Sequence, residues 1–216
     1  MSTSETITPD GASTDPSIAD HGSSPVPRKP LLGSTRLFGL ALTVLSAIGL
    51  FFSGLIMQDK IKLILEPGFR PACTFNEVMS CTNVMASEQA SAFGFPNPII
   101  GLIGFSVVLT IGVALIGGSR FTRPFWFGLA LGLALGAVFV HWLAFEAVFE
   151  IAALCIYCMI VWACVLPMFV MTVVHITRER RRVEGEEVSH GIGLPLLVIL
   201  VWYLAFFVII ATQFLF

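Results

Sequence analysis

Charge is scarce in this sequence. Only 12% of its 216 residues are Asp, Glu, Lys or Arg, about half of the roughly 25% that a soluble domain carries. Apolar residues fill the shortfall: they make up 56% of the chain and raise its mean hydropathy to +0.89. A soluble globular protein is excluded on that ground. A basic surplus is missing too. The formal net charge of -2 leaves no cationic surface for nucleic acid. Tyrosine is rare, with two residues against nineteen Phe and nineteen Gly, a balance that suits lipid-facing helices. Period-two alternation, the mark of a membrane barrel, is absent from the apolar stretches.

Those stretches form five runs, about 37–57, 98–117, 125–145, 151–174 and 192–216. A helix rises 1.5 Å per residue, so roughly 20 apolar residues cross a hydrocarbon core of about 30 Å. The expected fold class is therefore an all-α membrane protein with five transmembrane helices. Residues 1–30 are rich in Ser, Thr, Pro, Gly and Asp, bury too little to fold and are expected to form a disordered tail. Their apolar content starts too late for a cleaved signal peptide. The first run is read instead as an uncleaved anchor. The polar segment 58–97 is too long for an ordinary connection, and loops of that length are usually functional. Its stretch Ser80–Phe93 is expected to form a short helix, with Gly94 as a left-handed cap, lying as a lid on the membrane surface.

Lys and Arg are retained on the cytoplasmic side. Arg28, Lys29, Arg36, Arg120, Arg123, Arg178, Arg180, Arg181 and Arg182 share one side, and Lys60, Lys62 and Arg70 the other. This predicts a cytoplasmic N-terminus, an outer 58–97 loop and an outer C-terminus. The same topology puts Cys73, Cys81, Cys155 and Cys158 together on the outer side, where disulfides persist.

Cys155-Ile-Tyr-Cys158 is a C-x-x-C read at the start of a helix. That spacing puts both sulfurs on one face, and the helix N-terminus favours a thiolate. A disulfide closing so short a loop adds little stability, so a redox dithiol is the functional reading. The competing reading is a structural zinc site, which needs two further ligands. Only Cys73 and Cys81 could supply them, because the outer loop has no His. No metal is expected. Cys73 and Cys81 are either a loop staple or the second half of a relay working by thiol–disulfide exchange. Cys164, alone in a span, reads as a small apolar residue. Haem ligands, iron–sulfur spacing and a nucleotide-binding glycine fingerprint are all missing. By elimination, the electron acceptor is a lipid-soluble quinone, which needs only an apolar pocket with a few polar handles.

The order Cys73, Ser80-Cys81, Asn83-Val84, Ser87, Phe93-Gly94-Phe95-Pro96-Asn97, Gly101 and Cys155-x-x-Cys158 resembles the vitamin K epoxide reductase family in its bacterial form, over about Leu37–Val174. The resemblance implies a four-helix bundle around a quinone, a peripheral fifth helix and an extracytoplasmic lid. It implies that Cys155 and Cys158 are the active-site pair, with Cys158 nearer the ring, and that Cys73 and Cys81 are the shuttle pair. Asn97 matches a residue that hydrogen-bonds a quinone carbonyl, and Trp162 occupies the place of a substrate-contacting Tyr. Taken alone, Asn97 could equally cap a helix and Trp162 could be ordinary packing. Trp162 has no hydroxyl, which favours plain quinone reduction over epoxide chemistry. Many bacterial members carry a fused thioredoxin-like domain. Since this sequence ends at Phe216, a separate thioredoxin-like thiol protein is the expected partner.

The expected function is thus a thiol oxidase of the bacterial inner membrane that uses menaquinone or ubiquinone and serves disulfide formation in secreted proteins. The alternatives are a non-enzymatic metal carrier using the cysteines as ligands, and the other bacterial quinone-linked disulfide oxidase family. The latter places its C-x-x-C by the first outer loop rather than in a late span.

Overall fold

The computed structural model describes residues 32–185 and 193–215. The tail expected over 1–30 and the end of the connection before the last span lie outside them. Five helices are long and apolar enough to cross a membrane: α1 (Leu32–Leu65), α3 (Pro98–Ile116), α4 (Arg123–Phe145), α5 (Ile156–Val183) and α6 (Gly193–Leu215). The short helix α2 (Cys81–Ala86) and a 3-10 turn (Glu88–Ser91) form the lid. Among the described residues there is no β-strand, only an isolated bridge between Met79 and Leu154.

Helix α1 continues through 58–65, the start of the polar segment, and stops where Pro67 and Gly68 follow, Gly68 at φ +90°. Proline cannot extend the helix, and the positive φ suits glycine. The lid is not one helix. Ser80 caps α2 by accepting the Asn83 N–H, and the extended backbone of Ser87 (ψ 155°) separates α2 from the 3-10 turn. Gly94 takes the expected positive φ of +81°.

The fourth apolar run also divides differently from its expected form. Glu146–Glu150 is a π-helical turn continuing α4 rather than a connection. Ile151 does not start α5. The chain leaves the helix there, passes through Ala152 at φ +52° and re-enters at Ile156. Cys155 is therefore the N-cap of α5 rather than a residue inside it.

Helices α1 and α3 pack most extensively, α1 and α4 each flank α5, and α6 sits against α5 and the π-helical turn. Glycine makes the α1–α3 approach possible. A Cβ at Gly112 would stand 2.6 Å from Thr43 Oγ1 and 2.8 Å from its backbone nitrogen. Small residues give membrane helices this kind of close packing. At one end of the bundle, Phe38 stacks on His175 at 4.5 Å and Trp126 lies 4.8 Å from the same ring. The lid and four cysteines occupy the opposite end.

His141 is half-buried between α4 and α6. Its Nδ1 bonds the Ala137 carbonyl, and its Nε2 accepts the Trp202 indole N–H at 2.7 Å. Tyr203 donates to the Ala163 carbonyl of α5. These polar pins attach α6 to the bundle where the hydrophobic effect, absent between helices in lipid, cannot.

Candidate functional site

Pro71 and Cys73 are buried in the segment that follows α1, and Cys81 opens α2. Cys73 and Cys81 form a disulfide with their Cα atoms 5.7 Å apart. The strand-like stretch before α2 is held against the stretch before α5: the Leu154 N–H donates to the Val78 carbonyl at 2.7 Å, beside the Met79–Leu154 bridge. This register brings the two cysteine pairs together across 74 positions of sequence. Cys155 Sγ lies 3.0 Å from Cys81 Sγ, inside the ordinary contact distance of two sulfurs. Cys155 is fully buried, and Cys158 follows it in the first turn of α5.

Cys155, Cys158 and Cys164 are free thiols. A side-chain hydrogen bond from Cys158 is the largest influence on Cys155 and lowers its pKa. Burial opposes the shift, while the Cys158 and Tyr157 backbone N–H groups at the start of α5 reinforce it. Stabilised thiolate at Cys155 is what attack on a neighbouring disulfide requires. Cys73, Cys81 and Cys155 also keep their sulfurs within 4.8 Å of one another, a spacing compatible with a soft metal. Two of these sulfurs are joined to each other, so they offer no thiolates, and the cluster as it stands is set for exchange rather than ligation. Cys164 is buried in α5 and is not among the residues that line the cavity.

Below the sulfurs lies a cavity of about 860 Å³, within the range of small-molecule sites. Cys158 and Trp162 line it one helical turn apart, with Val161 and Val165 beside them. Phe206 of α6 backs Trp162 edge-on at 5.9 Å. Three glycines at successive turns of α4, Gly128, Gly132 and Gly136, leave the opposite wall flat. A Cβ at Gly128 or Gly132 would meet nothing within 4 Å. The walls are apolar.

Polar groups gather under the lid. Asn97 is the N-cap residue of α3, but its side chain does not cap that helix. Its Oδ1 accepts the Ala92 N–H at 3.1 Å, and its Nδ2 donates to the Gln89 carbonyl at 2.6 Å. One Nδ2 hydrogen is left for a ligand. Gln89 in turn donates to Glu146 Oε2 at 3.2 Å, and Lys60 donates to the Ala90 carbonyl and the Ser91 hydroxyl. All four of Lys60, Gln89, Asn97 and Glu146 line the cavity.

The structure thus brings together Cys73, Cys81 and Cys155, and lines one cavity with Cys158, Asn97 and Trp162. Sequence reasoning missed Lys60, Gln89 and Glu146. A signal for Lys60 existed: Ser53, Ile56 and Lys60 fall on one face of α1 at helical spacing and all line the cavity, once the helix is carried past 57.

A search of curated proteins finds no match. The family model described as "Vitamin K epoxide reductase family" matches residues 40–173, a stretch that contains both cysteine pairs, the lid and the cavity. With that match covering most of the chain, this membrane redox protein belongs to the vitamin K epoxide reductase family.

Proposed function

We propose that the protein oxidises the dithiol of a separate thioredoxin-like protein and passes the electron pair to a lipid-soluble quinone, menaquinone or ubiquinone. The observation that carries this reading is the 3.0 Å approach of Cys81 Sγ to Cys155 Sγ. A partner thiolate attacks Cys73, Cys81 leaves, and the partner's second thiol closes its own disulfide. Cys81 then attacks Cys155 of an oxidised Cys155–Cys158 pair and Cys158 leaves as a thiolate. Cys73 attacks Cys81, and Cys155 is released. The outcome is an outer disulfide above an inner dithiol, the pairing described above.

A bound quinone supplies the two-electron sink that returns Cys155 and Cys158 to the disulfide. The cavity residues fit such a ring: Cys158 in the wall, apolar sides, and the free Asn97 Nδ2 hydrogen at the polar end. Trp162 gives the ring a flat face to lie on. The thiol side of the reaction serves disulfide formation in secreted proteins.

The bias of Arg and Lys supports an inner-membrane orientation with the N-terminus cytoplasmic, and with the cysteines and C-terminus outside. Cysteines introduced at Glu66 and Glu184 test it in intact cells: the first should react with a membrane-impermeant thiol reagent and the second should not.

The decisive assay is quinone reduction by the purified full chain in lipid, driven by a reduced thioredoxin-like protein. Turnover should require all four cysteines. Cys73→Ala should abolish turnover with the protein dithiol while sparing small reductants that reach Cys155 and Cys158. Protein-driven turnover that survives this change would make the outer pair a staple and refute the relay.

A further inference from the structure

Lys60 is a buried ammonium, 8% exposed, at the polar end of the cavity. Among the described residues it has no carboxylate partner. The nearby Asp59 interacts with Lys62 instead, and Glu146, across the roof, is bonded by Gln89. Lys60 is held by two neutral oxygens, the Ala90 carbonyl at 3.1 Å and the Ser91 hydroxyl at 2.8 Å. Its third hydrogen is uncommitted. A buried charge without a counter-ion is costly, and an ionisable side chain inside a membrane protein points to function. Position makes the case specific. The Ala90 carbonyl also accepts the Asn97 backbone N–H at 3.0 Å, so the Lys60 ammonium and the Asn97 backbone nitrogen are at most about 6 Å apart. Among the described residues that line the cavity, Lys60 is the one cation.

Resting on the quinone reading above, we propose that Lys60 is a catalytic residue whose ammonium contacts the ring oxygen facing Asn97, stabilises the negative charge that gathers there and delivers a proton to it. The balance closes within the site. Forming the Cys155–Cys158 bond releases two electrons and two protons, and reduction adds both electrons to the ring and one proton to each ring oxygen. Lys60 hands its proton to one oxygen and recovers one released by the thiols. No further reductant or acid is consumed.

The test is binding of two probes to the full chain in lipid nanodiscs, followed by tryptophan quenching. The probes are neutral 1,4-naphthoquinone and 2-hydroxy-1,4-naphthoquinone, an anion at neutral pH. A charge-assisted hydrogen bond predicts that Lys60→Met weakens the anion about tenfold or more and the neutral ring less than about threefold. Lys60→Arg should keep anion binding yet lose about tenfold in turnover, because a guanidinium does not release its proton. Ser91→Ala, which removes a tether but keeps the ammonium, should preserve the preference for the anion. If Lys60→Met weakens both probes equally, or Ser91→Ala reproduces its effect, Lys60 only holds the lid and the inference fails, while the quinone reading stands. If Lys60→Arg turns over like the unaltered protein, the proton transfer is wrong. If neither probe binds the unaltered protein, the quinone reading and the inference fall together.

Discussion

Asn97→Ala should loosen the lid before it does anything else. The side chain holds the lid through two hydrogen bonds, one from the Ala92 N–H and one to the Gln89 carbonyl. Each such bond contributes about 1 kcal/mol net. Alanine removes both, so the closed lid should lose about 2 kcal/mol, close to thirtyfold in the opening equilibrium. The Ala90 carbonyl keeps its bonds from Lys60 and from the backbone of residue 97, so the lid is weakened rather than released. Hydrogen–deuterium exchange of the peptide spanning 87–97 reads this directly, since exchange of a protected amide follows local opening. The Ala92 amide should exchange about thirtyfold faster, while amides in α3 keep their rates. Quinone affinity should fall only several-fold, the about 1 kcal/mol of the lost Nδ2 hydrogen bond, because a lid that stays mostly closed still roofs the ring. Unchanged exchange at Ala92, combined with weakened quinone binding, would refute the clamp and leave Asn97 as a ligand alone.

In Cys158→Ser the inner pair cannot close on itself, so Cys155 should attack Cys81 across the 3.0 Å gap and release Cys73. Non-reducing peptide mapping should find the Cys81–Cys155 bond, and a Cys73–Cys81 bond alone would contradict the order of transfer. The rate of that exchange should rise with pH as Cys155 ionises. With the serine hydroxyl donating in place of the Cys158 thiol, the lowered pKa of Cys155 should be kept and the rate should level off below the ordinary thiol value of about 8.5; in Cys158→Ala, with no donor there, the plateau should move to higher pH. Gly112→Ala forces a Cβ against the Thr43 backbone and should cost about 1–3 kcal/mol, seen as a lowered melting temperature. Gly132→Ala meets open space and should leave that temperature unchanged; equal losses would show that the α1–α3 contact is not as tight as described.

The spans were legible because a bilayer demands long apolar runs, and no fold can hide that demand. The cysteine pairs were legible because C-x-x-C and the outer-loop pair are local signs. What escaped depends on distance in sequence. The bonds from Lys60 to Ala90 and Ser91 link residues 30 and 31 positions apart, and a lone Lys in a polar segment otherwise reads as solvated. The start of α5 escaped for a related reason. Nothing in Ile151–Leu154 is a helix breaker, and the chain is drawn out there by pairing with 78–79. The hydrogen bond from Trp202 to His141 joins residues 61 positions apart, beyond the reach of any local pattern.

The four sulfurs, the Asn97 amide and the Lys60 ammonium all lie at the same end of the bundle, away from the His175 cluster. Electrons and protons moving by the proposed route therefore enter and leave through one face. Turnover would carry no net charge through the dielectric of the bilayer and so would perform no osmotic work. It would draw on the respiratory chain's oxidised quinone without adding to, or draining, the proton-motive force. A potential-sensitive dye in sealed vesicles should stay silent while quinone is consumed, and a sustained signal would mean that some proton crosses by a path through the bundle.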